Sequence, residues 1–321
     1  MIRLIIRKLI LMVIILGLLN IVAFNYGLRH PALFSPSNFF VPRGISDPEY
    51  IRERHGTYLQ GLLRGNLGRV SGTEIATVIR DPIKNSLILL GTAIVTTVVF
   101  GLLFGMTAIS GKTRRIRPWA VVFLAAGSSL PGFVFAAVLI AFLVYQLFYT
   151  EARTPLLPIS GFGIDRHLIM PVLVLAVQPT FHLAKVTAGL LENELHRDYI
   201  TVAYSKGLTW SQLVWRHAWR NMLSPVLVTL GDSMRLMIGG LVIVEAIFLW
   251  PGIGRIFLYT LGLRLDARAP GQFFGNPELT AILAVILGGL LLLTDLVVSI
   301  LAYQLDPRLS QPAEGSQVSL A

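Results

Sequence analysis

Six long apolar stretches, separated by polar and often basic segments, constrain the fold of this chain more than any other feature. A helix needs about 20 apolar residues to cross a bilayer core, and such spans must be helical because lipid leaves backbone groups nothing to bond. We place the stretches at 9–24, 86–109, 119–148, 167–189, 223–249 and 279–303. The sequence therefore predicts an all-α, polytopic membrane protein with six transmembrane helices.

The overall composition agrees with a protein of the lipid bilayer. Of the 321 residues, 54% are hydrophobic and only 14% are charged, whereas soluble domains carry about 25% charged residues. The net charge of +10 does not indicate nucleic-acid binding, because Lys and Arg fall mostly between apolar runs and no nucleic-acid motif is present. The lack of cysteine excludes disulfides and thiolate metal sites, and the six His residues lack ligand spacing, so we expect no metal.

The first apolar run follows Arg3, Arg7 and Lys8. A basic start and an apolar core are also features of a cleaved signal peptide. This run is long for such a peptide, however, and no A-x-A cleavage site follows it. We interpret the run as an uncleaved first span whose N-terminus lies in the cytosol.

The polar, basic segment between the fourth and fifth apolar runs carries unusually complete helix signals. Asp198 can cap a first short helix, which Lys206 and Gly207 end, since a cation suits a helix C-terminus and glycine tolerates the left-handed turn. Thr209 and Gln212 form a capping box that opens a second helix. Two short, well-stopped helices predict a rigid knob that a soluble partner can push. An amphipathic helix lying on lipid headgroups is the alternative.

The same segment resembles the loop signature of ABC importer permeases of the dipeptide/oligopeptide/nickel branch. The matching residues are Ala203, Lys206, Gly207, Leu208, Arg216, His217, Ala218, Arg220, Asn221, Leu223 and Pro225. A second stretch, 239–255, is similar to the family motif GG.vvvE.vFswPGlG. The resemblance implies an ABC type-1 permease fold in which these loop residues, with Leu213 beside them, form a coupling loop that docks on an ATPase subunit.

The resemblance also implies a set of partners. These are a second homologous permease, two ATP-binding cassette ATPases that hold ATP and Mg²⁺, and an extracytoplasmic substrate-binding protein. No cofactor is expected on this chain, which is not an enzyme: its Ser110–Thr113 stretch resembles a phosphate-binding loop, but Met106 stands where that loop needs glycine. The implied function is peptide import, with nickel chelates or oligosaccharides as alternative solutes. A stand-alone secondary transporter is disfavoured because no inverted repeat is visible.

Seven residues are candidates for the translocation pathway or its outer gate. They are Pro131, Asp232, Arg235, Glu245, Trp250, Pro251 and Gly252. Pro131 breaks the third run and either lines the pathway or makes a packing kink. Glu245 is either a functional carboxylate or a cap for neighbouring backbone.

Two of these candidates depart from the family pattern. Asp232 and Arg235 are three residues apart, so they can pair on one helix face. We hypothesise that Arg235 meets a substrate carboxylate; a self-satisfied pair is the alternative. Further along, Asp295 and Ser299 replace the usual Asn and Asp, so no role is carried over for them.

Charge distribution and the resemblance together give a topology. We divide the chain into a first span (1–27), an extracytoplasmic segment (28–85), a five-helix core (86–304) with a cytosolic coupling loop (190–222), and a cytosolic tail (305–321). The short basic loop at 110–118 is expected in the cytosol by the positive-inside rule. The protein is thus expected in a prokaryotic inner or plasma membrane with both termini inside. The tail opens with Leu305–Arg308, similar to a terminal LDPR motif, and Gly101 and Gly105 predict close helix packing.

Overall fold

The computed structural model describes residues 2–29, 48–149, 156–263, 273 and 275–305, and helices dominate these ranges. The helices are α1 Ile2–Arg29, α2 Pro48–Leu63, α3 Ile75–Thr107, α4 Pro118–Ser129, α5 Gly132–Tyr149, α6 Ile169–Leu195, α7 Asp198–Ser205, α8 Trp210–Ile247, α9 Ile253–Thr260 and α10 Pro277–Leu305. A small antiparallel hairpin, β1 Arg69–Val70 and β2 Thr73–Glu74, precedes α3. The predicted tail and the middle of the loop before α10 lie outside the described residues.

Six of these helices are long and apolar enough to cross a membrane, which confirms the predicted number. They are α1, α3, α5, α6 with its leading turn from Arg166, α8 and α10. Many of their apolar side chains point outward, as lipid-facing residues do. The break predicted in the third run is also present, since α4 ends at Ser129 and α5 begins at Gly132, with Pro131 between them.

One predicted boundary was wrong at the start of the second span. Its helix begins at Ile75, eleven residues before the apolar run begins at 86. Ile75 and Ile79 lie one turn apart and are buried, while Arg80 and Lys84 are exposed. The first turns of α3 are thus amphipathic, and their exposed charges hide them from a search for apolar runs.

A second correction concerns the predicted separate second helix of the knob. The helix that opens at Trp210 does not stop before the fifth span but runs on to Ile247 as one element, α8. Pro225 lies inside α8. Residues Leu213–Ala218 form a π-helical turn within it, and membrane helices tolerate such proline and π irregularities where neighbours satisfy the backbone.

Helix α6 is central to the bundle and packs against α3, α4 and α8. Its contact with α3 depends on the glycines predicted for packing. A Cβ atom at Gly105 would lie 2.8 Å from the Ala184 carbonyl oxygen, and one at Gly101 would lie 2.9 Å from Leu183 Cδ2. A Cβ at Gly105 would clash with backbone, and one at Gly101 would require the Leu183 side chain to shift, which confirms the prediction of close packing.

The buried apolar side chains form two clusters, one toward each end of the bundle. The smaller cluster lies where loop 110–118 and α7 meet, and we call this end the basic end. The larger cluster includes Trp250 and extends through α1, α2 and α10; we call this end the Trp250 end. The two ends carry the two candidate motifs.

Candidate functional site

Helix α7 is the centre of the predicted coupling segment, and its sequence is amphipathic. Ile200 and Ala203 lie one turn apart and are buried in the cluster at the basic end. Tyr199, Val202 and Tyr204 point away from the bundle, with 38%, 54% and 58% of their surfaces exposed. Exposed aromatic and apolar side chains on a short, anchored helix form a surface suited to a protein partner.

The C-terminus of α7 has the geometry that the sequence predicted. Gly207 adopts φ +81°, and its N–H donates to the Tyr204 carbonyl at 2.9 Å. The N–H of Leu208 reaches back to the Ala203 carbonyl at 3.5 Å. This is the Schellman pattern, and it stops the helix abruptly.

The predicted N-terminal cap of α7 needs correction. Arg197 is the N-cap residue, and Asp198 is the first residue inside the helix, without a side-chain cap hydrogen bond. Its charge still lies at the positive end of the helix dipole. The capping box at the start of α8 is confirmed, because the Thr209 N–H donates to Gln212 Oε1 at 2.9 Å and the reciprocal bond is present.

The predicted coupling residues divide into buried and exposed sets. Ala203, Leu213 and Ala218 are buried. The exposed or partly exposed set comprises Lys206, Gly207, Leu208, Arg216, His217, Arg220 and Asn221. The buried residues fix the segment to the bundle, and the exposed ones are available at its surface.

Polar bonds also join α7 to the end of α6 and to α8. The Asn221 side-chain amide donates to Glu194 Oε1 at 2.9 Å and to the Tyr199 hydroxyl oxygen at 3.0 Å. The Tyr199 hydroxyl donates to the same Glu194 carboxylate. Burial, followed by this hydrogen bond, raises the pKa of Tyr199 to about 12, so the phenol remains a donor at neutral pH.

Loop 110–118 braces the coupling segment from the other side. The Arg114 guanidinium lies 4.4 Å from the centre of the Tyr204 ring, a cation–π distance. The Ile116 N–H donates to Glu192 Oε1 at 3.1 Å. Sequence reasoning missed Tyr199, Val202 and Tyr204 as surface residues. Spacing against Ile200 and Ala203 identifies only Val202 as outward-facing, because each tyrosine lies four residues from one of the two buried residues.

At the Trp250 end, the Glu245 carboxylate is fully buried and caps helix α9. Its Oε2 accepts the N–H groups of Gly254 at 2.7 Å and Arg255 at 3.2 Å. The Ser86 hydroxyl of α3 donates to its Oε1, and that hydroxyl oxygen accepts the Ile253 N–H at 2.9 Å. Of the two alternatives for Glu245, the structure shows backbone capping, and the carboxylate joins α3, α8 and α9.

The rest of the second motif closes around this carboxylate. A Cβ atom at Gly252 would lie 2.1 Å from Glu245 Oε1, so only glycine fits there. Trp250 is buried, and its indole N–H donates to the Asn85 carbonyl at 3.1 Å. The Asn85 amide in turn donates to the Pro251 carbonyl at 3.0 Å. Trp250, Pro251 and Gly252 thus join α3 to the end of α8 in a hydrogen-bonded cluster around Glu245. We call this cluster the Glu245 knot.

Asp232 and Arg235 belong to a larger group of charges than predicted. Arg235 pairs with Asp232 through Nη1, as the sequence spacing indicated. Its Nη2 lies 2.6 Å from Asp295 Oδ1 on α10. The other oxygen of Asp295 lies 2.5 Å from Lys8 Nζ on α1, and Lys8 also donates to Ser299 Oγ. Three transmembrane helices thus meet in a balanced set of two cations and two anions.

Pro131 lines a cavity of about 250 Å³ between α5, α6 and α8. Its walls are mostly apolar, and Gln178 on α6 contributes an amide. Gly239 and Gly240 of α8 form the opposite wall. The structure therefore places Pro131 at a cavity, whereas the residues of the Glu245 knot do not line it.

Comparison with known proteins identifies the family. The profile of the family described as "Binding-protein-dependent transport system inner membrane component" matches residues 97–311. The chain belongs to this family. The matched region contains both the coupling segment and the Glu245 motif, so the resemblance drawn from those residues is confirmed.

Named relatives agree with this assignment. The chain is similar to the oligopeptide transport system permease protein AppB of Bacillus subtilis (strain 168), with 28% identity over 278 residues, 84% of each chain. It is similar to the probable peptide ABC transporter permease protein y4tP of Sinorhizobium fredii, with 28% identity over 83% of this chain and 82% of that one. It also matches the glutathione transport system permease protein GsiC of Escherichia coli (strain K12), with 29% identity over 69% and 70%.

Family membership establishes the general role of the chain. It is a multi-pass membrane permease of the ABC importer type, with the type-1 permease fold, and not the catalytic subunit of its system. A permease of a binding-protein-dependent system operates with further ABC components.

Proposed function

We propose that this chain is one of two permease subunits of an ATP-driven importer of peptides. The observation that carries the proposal is the geometry of α7, which buries Ile200 and Ala203 and exposes Val202 and Tyr204. The exposed side chains of α7 form the surface for one ATPase subunit, and a second ATPase binds the partner permease. A substrate-binding protein delivers the solute from the opposite side. Peptides are favoured because the relatives named above carry oligopeptide, peptide or glutathione transport in their names.

The proposal fixes the orientation of the bundle. The basic end faces the cytosol, because the short loop 110–118 carries Lys112, Arg114, Arg115 and Arg117. The Trp250 end then faces outward. Both termini lie inside.

Orientation can be tested with single cysteines, since the chain has none of its own. Ser205→Cys on α7 is expected to react with a membrane-impermeant maleimide only after the cell membrane is opened. The matched variant is Leu63→Cys, at a residue 89% exposed at the end of α2. It is expected to react in intact spheroplasts. The reverse pattern contradicts the proposed orientation.

Transport itself is tested by purifying the chain with the subunits that associate with it and reconstituting them into liposomes. Uptake of a labelled oligopeptide is expected to require ATP on the side of the liposome membrane where the ATPase subunits lie. It is also expected to require the binding protein on the opposite side. Parallel assays with a labelled nickel chelate and with labelled maltotriose test the two alternative solutes, nickel chelates and oligosaccharides. Uptake by this chain alone, without an ATPase, contradicts the coupling role and favours a secondary transporter.

Differential affinity is the physical basis of coupling. ATP binding brings the two ATPases together, and the docked α7 surfaces then fit one permease conformation better than the other. A short helix closed by a Schellman turn and braced by Arg114 holds its position under load. The Glu245 knot, by contrast, stabilises the outer end of the same subunit.

A further inference from the structure

Asp232, Arg235 and Asp295 lie inside the membrane-spanning helices α8 and α10, and Lys8 reaches them from the second turn of α1. Asp295 is ten residues before the end of α10 at Leu305, which is about 15 Å along a helix. Arg235 is twelve residues before the end of α8 at Ile247, about 18 Å. Charges at such depths are rare, and they mark pathways or protein interiors because exposure to lipid is costly.

These charges are not sealed inside the subunit. The side chains of Asp232, Arg235 and Asp295 are 48%, 39% and 38% exposed in the single chain. Their open sides must therefore face water or another protein surface, since lipid does not solvate a carboxylate. In an importer with two permease halves, the space between the halves provides such a setting.

The open face that carries Asp232 and Arg235 continues into the cavity at Pro131. Leu236, next to Arg235, is 41% exposed and lines that cavity. Gly239 and Ile243 follow at helical spacing on the same side of α8 and line it too. The charged pair Asp232–Arg235 and the apolar recess formed by the Pro131 cavity thus lie next to each other along one helix face.

The pair on α8 retains unused bonding capacity. Asp232 bonds Arg235 through Oδ1, and its Oδ2 has no partner in the described ranges. Arg235 uses Nη1 and Nη2 once each, although a guanidinium has five N–H donors. By contrast, Asp295 has both oxygens engaged, by Arg235 and by Lys8. A carboxylate acceptor and a guanidinium donor are therefore open side by side on α8.

We propose that Asp232 and Arg235 form a solute-recognition site in the pathway for molecules that carry both an ammonium and a carboxylate group, such as peptides with free ends. The ammonium bonds the open oxygen of Asp232, and the carboxylate bonds the open N–H groups of Arg235. Side chains of the solute occupy the apolar recess beside Leu236. This site rests on the proposed function, because it names the solute chemistry that the pathway favours.

Lys8 and Asp295 have a supporting role in this site. Asp295 holds the Arg235 guanidinium through Nη2, and Lys8 balances the Asp295 charge. A zwitterionic solute therefore meets a site that is already neutral, so its entry leaves no charge unbalanced in the membrane. An anion or a cation alone lacks that balance, which makes the site selective for solutes of both charges.

Cysteine protection measures this site without the substrate-binding protein. The complete permease–ATPase complex is placed in lipid nanodiscs with Leu236→Cys in this chain, and alkylation of that cysteine by a small soluble maleimide is followed by mass spectrometry. Trialanine with free ends is compared with N-acetyl-trialanine amide, which has the same side chains and no end charges. We expect alkylation in the absence of peptide, and slower alkylation with trialanine but not with the blocked peptide.

The charge requirement is tested by removing both charges together. Asp232→Asn with Arg235→Gln keeps the site neutral and avoids an unpaired charge that hinders folding. Trialanine should then need about tenfold or more higher concentration for half-protection, since charge-assisted bonds are lost. The matched control is Asp81→Asn with Lys84→Gln, which removes one acidic and one basic side chain at the same spacing on exposed turns of α3; it is expected to leave protection unchanged.

Three outcomes overturn the proposal: no alkylation at Leu236→Cys, equal protection by both peptides or by neither, or undiminished protection in the neutralised variant. Failure of the proposed function is a separate result. It is read from ATP-dependent peptide uptake by the same complex in liposomes with the binding protein. If the complex takes up peptide but the cysteine is not protected as expected, only the recognition site is refuted. If the complex takes up no peptide at all, the proposed peptide importer is refuted.

Discussion

The Gly254 N–H donates to Glu245 Oε2 at 2.7 Å, so the carboxylate of one helix serves as the N-terminal cap of the next. The two residues are nine positions apart in sequence and belong to α8 and α9. Helix N-termini favour negative charge, because their first N–H groups have no partner within the helix. The carboxylate thereby holds α9 against the end of the fifth span.

We expect Glu245→Ala to destabilise the protein more than Glu245→Gln. Alanine leaves the buried donors of Ser86, Gly254 and Arg255 without their acceptor, and each unsatisfied group costs about 1–3 kcal/mol. Glutamine retains one acceptor oxygen. The check is thermal unfolding in detergent followed by tryptophan fluorescence; equal melting temperatures for wild type and Glu245→Ala would contradict the capping role.

Gly252→Ala is expected to be destabilising by about 1–3 kcal/mol, as overpacked sites usually are. The added methyl would meet the Glu245 carboxylate at 2.1 Å. Gly189→Ala on α6 is the matched control, because a Cβ there meets nothing within 4 Å. That variant is expected to be neutral or slightly stabilising through helix propensity. The same thermal unfolding measurement distinguishes the two, and similar losses in both would show that packing at Gly252 is not the cause.

Gly207→Val is expected to preserve membrane insertion while lowering transport-coupled ATPase activity. Nothing lies within 4 Å of a Cβ at this position, so the strain comes from the backbone angle of φ +81°. A β-branched residue opposes that angle, whereas asparagine tolerates it. Gly207→Asn should therefore retain most of the activity. ATP hydrolysis by the reconstituted complex, measured with and without binding protein, provides the readout, and normal coupling in the valine variant would count against the role of the α7 stop.

Val202→Ser combined with Tyr204→Ser is expected to weaken binding of the ATPase subunits and to lower the melting temperature only slightly, because the Arg114–Tyr204 contact is lost and such exposed contacts contribute about 0.5–1 kcal/mol. Both side chains are more than half exposed, so their loss removes contact surface and leaves the core intact. Leu63→Ser is the control, as it removes an 89% exposed apolar side chain far from α7 in sequence. Co-purification of ATPase with each variant decides the matter; undiminished capture by the double variant would place the docking surface elsewhere.

Lys8→Met should destabilise the protein more than Lys8→Met combined with Asp295→Asn. The single change leaves Asp295 with Arg235 as its remaining cation, which must also neutralise Asp232. We expect a loss of roughly 1–3 kcal/mol, less than for a fully buried pair because these side chains are partly exposed. The double change restores the charge balance. A double-mutant cycle on thermal unfolding gives the coupling, and strictly additive losses would mean that the Lys8–Asp295 contact contributes nothing.

Local features of the coupling segment were predictable, because their determinants lie a few residues apart. The Thr209–Gln212 capping box and the left-handed Gly207 are both present. The continuity of α8 was missed, since proline is ordinarily read as a boundary and Pro225 lies inside the helix. No sequence rule signals that neighbouring helices satisfy the backbone there.

Contacts between residues far apart in the sequence were the other feature that sequence reasoning could not predict. The spacing of Asp232 and Arg235 predicted their contact, but Lys8 and Asp295 are 287 residues apart and meet only through the packing of α1 on α10. In the same way, the burial of Glu245 was foreseeable from its place within an apolar run. Its partner Ser86, on another span, was not.

Helix α8 begins beside α7 and ends at the Glu245 knot without an intervening loop. Its 38 residues make a rod of about 57 Å. Within α8 only the π-helical turn Leu213–Ala218 and Pro225 interrupt the regular helix, so a displacement applied at Thr209 is transmitted along the remaining regular turns to the Trp250 end. The stiffness of this single helix therefore couples the movements of the two ends of the subunit. Two glycines inserted near its middle would make the helix flexible, so that one end could move while the other stayed still.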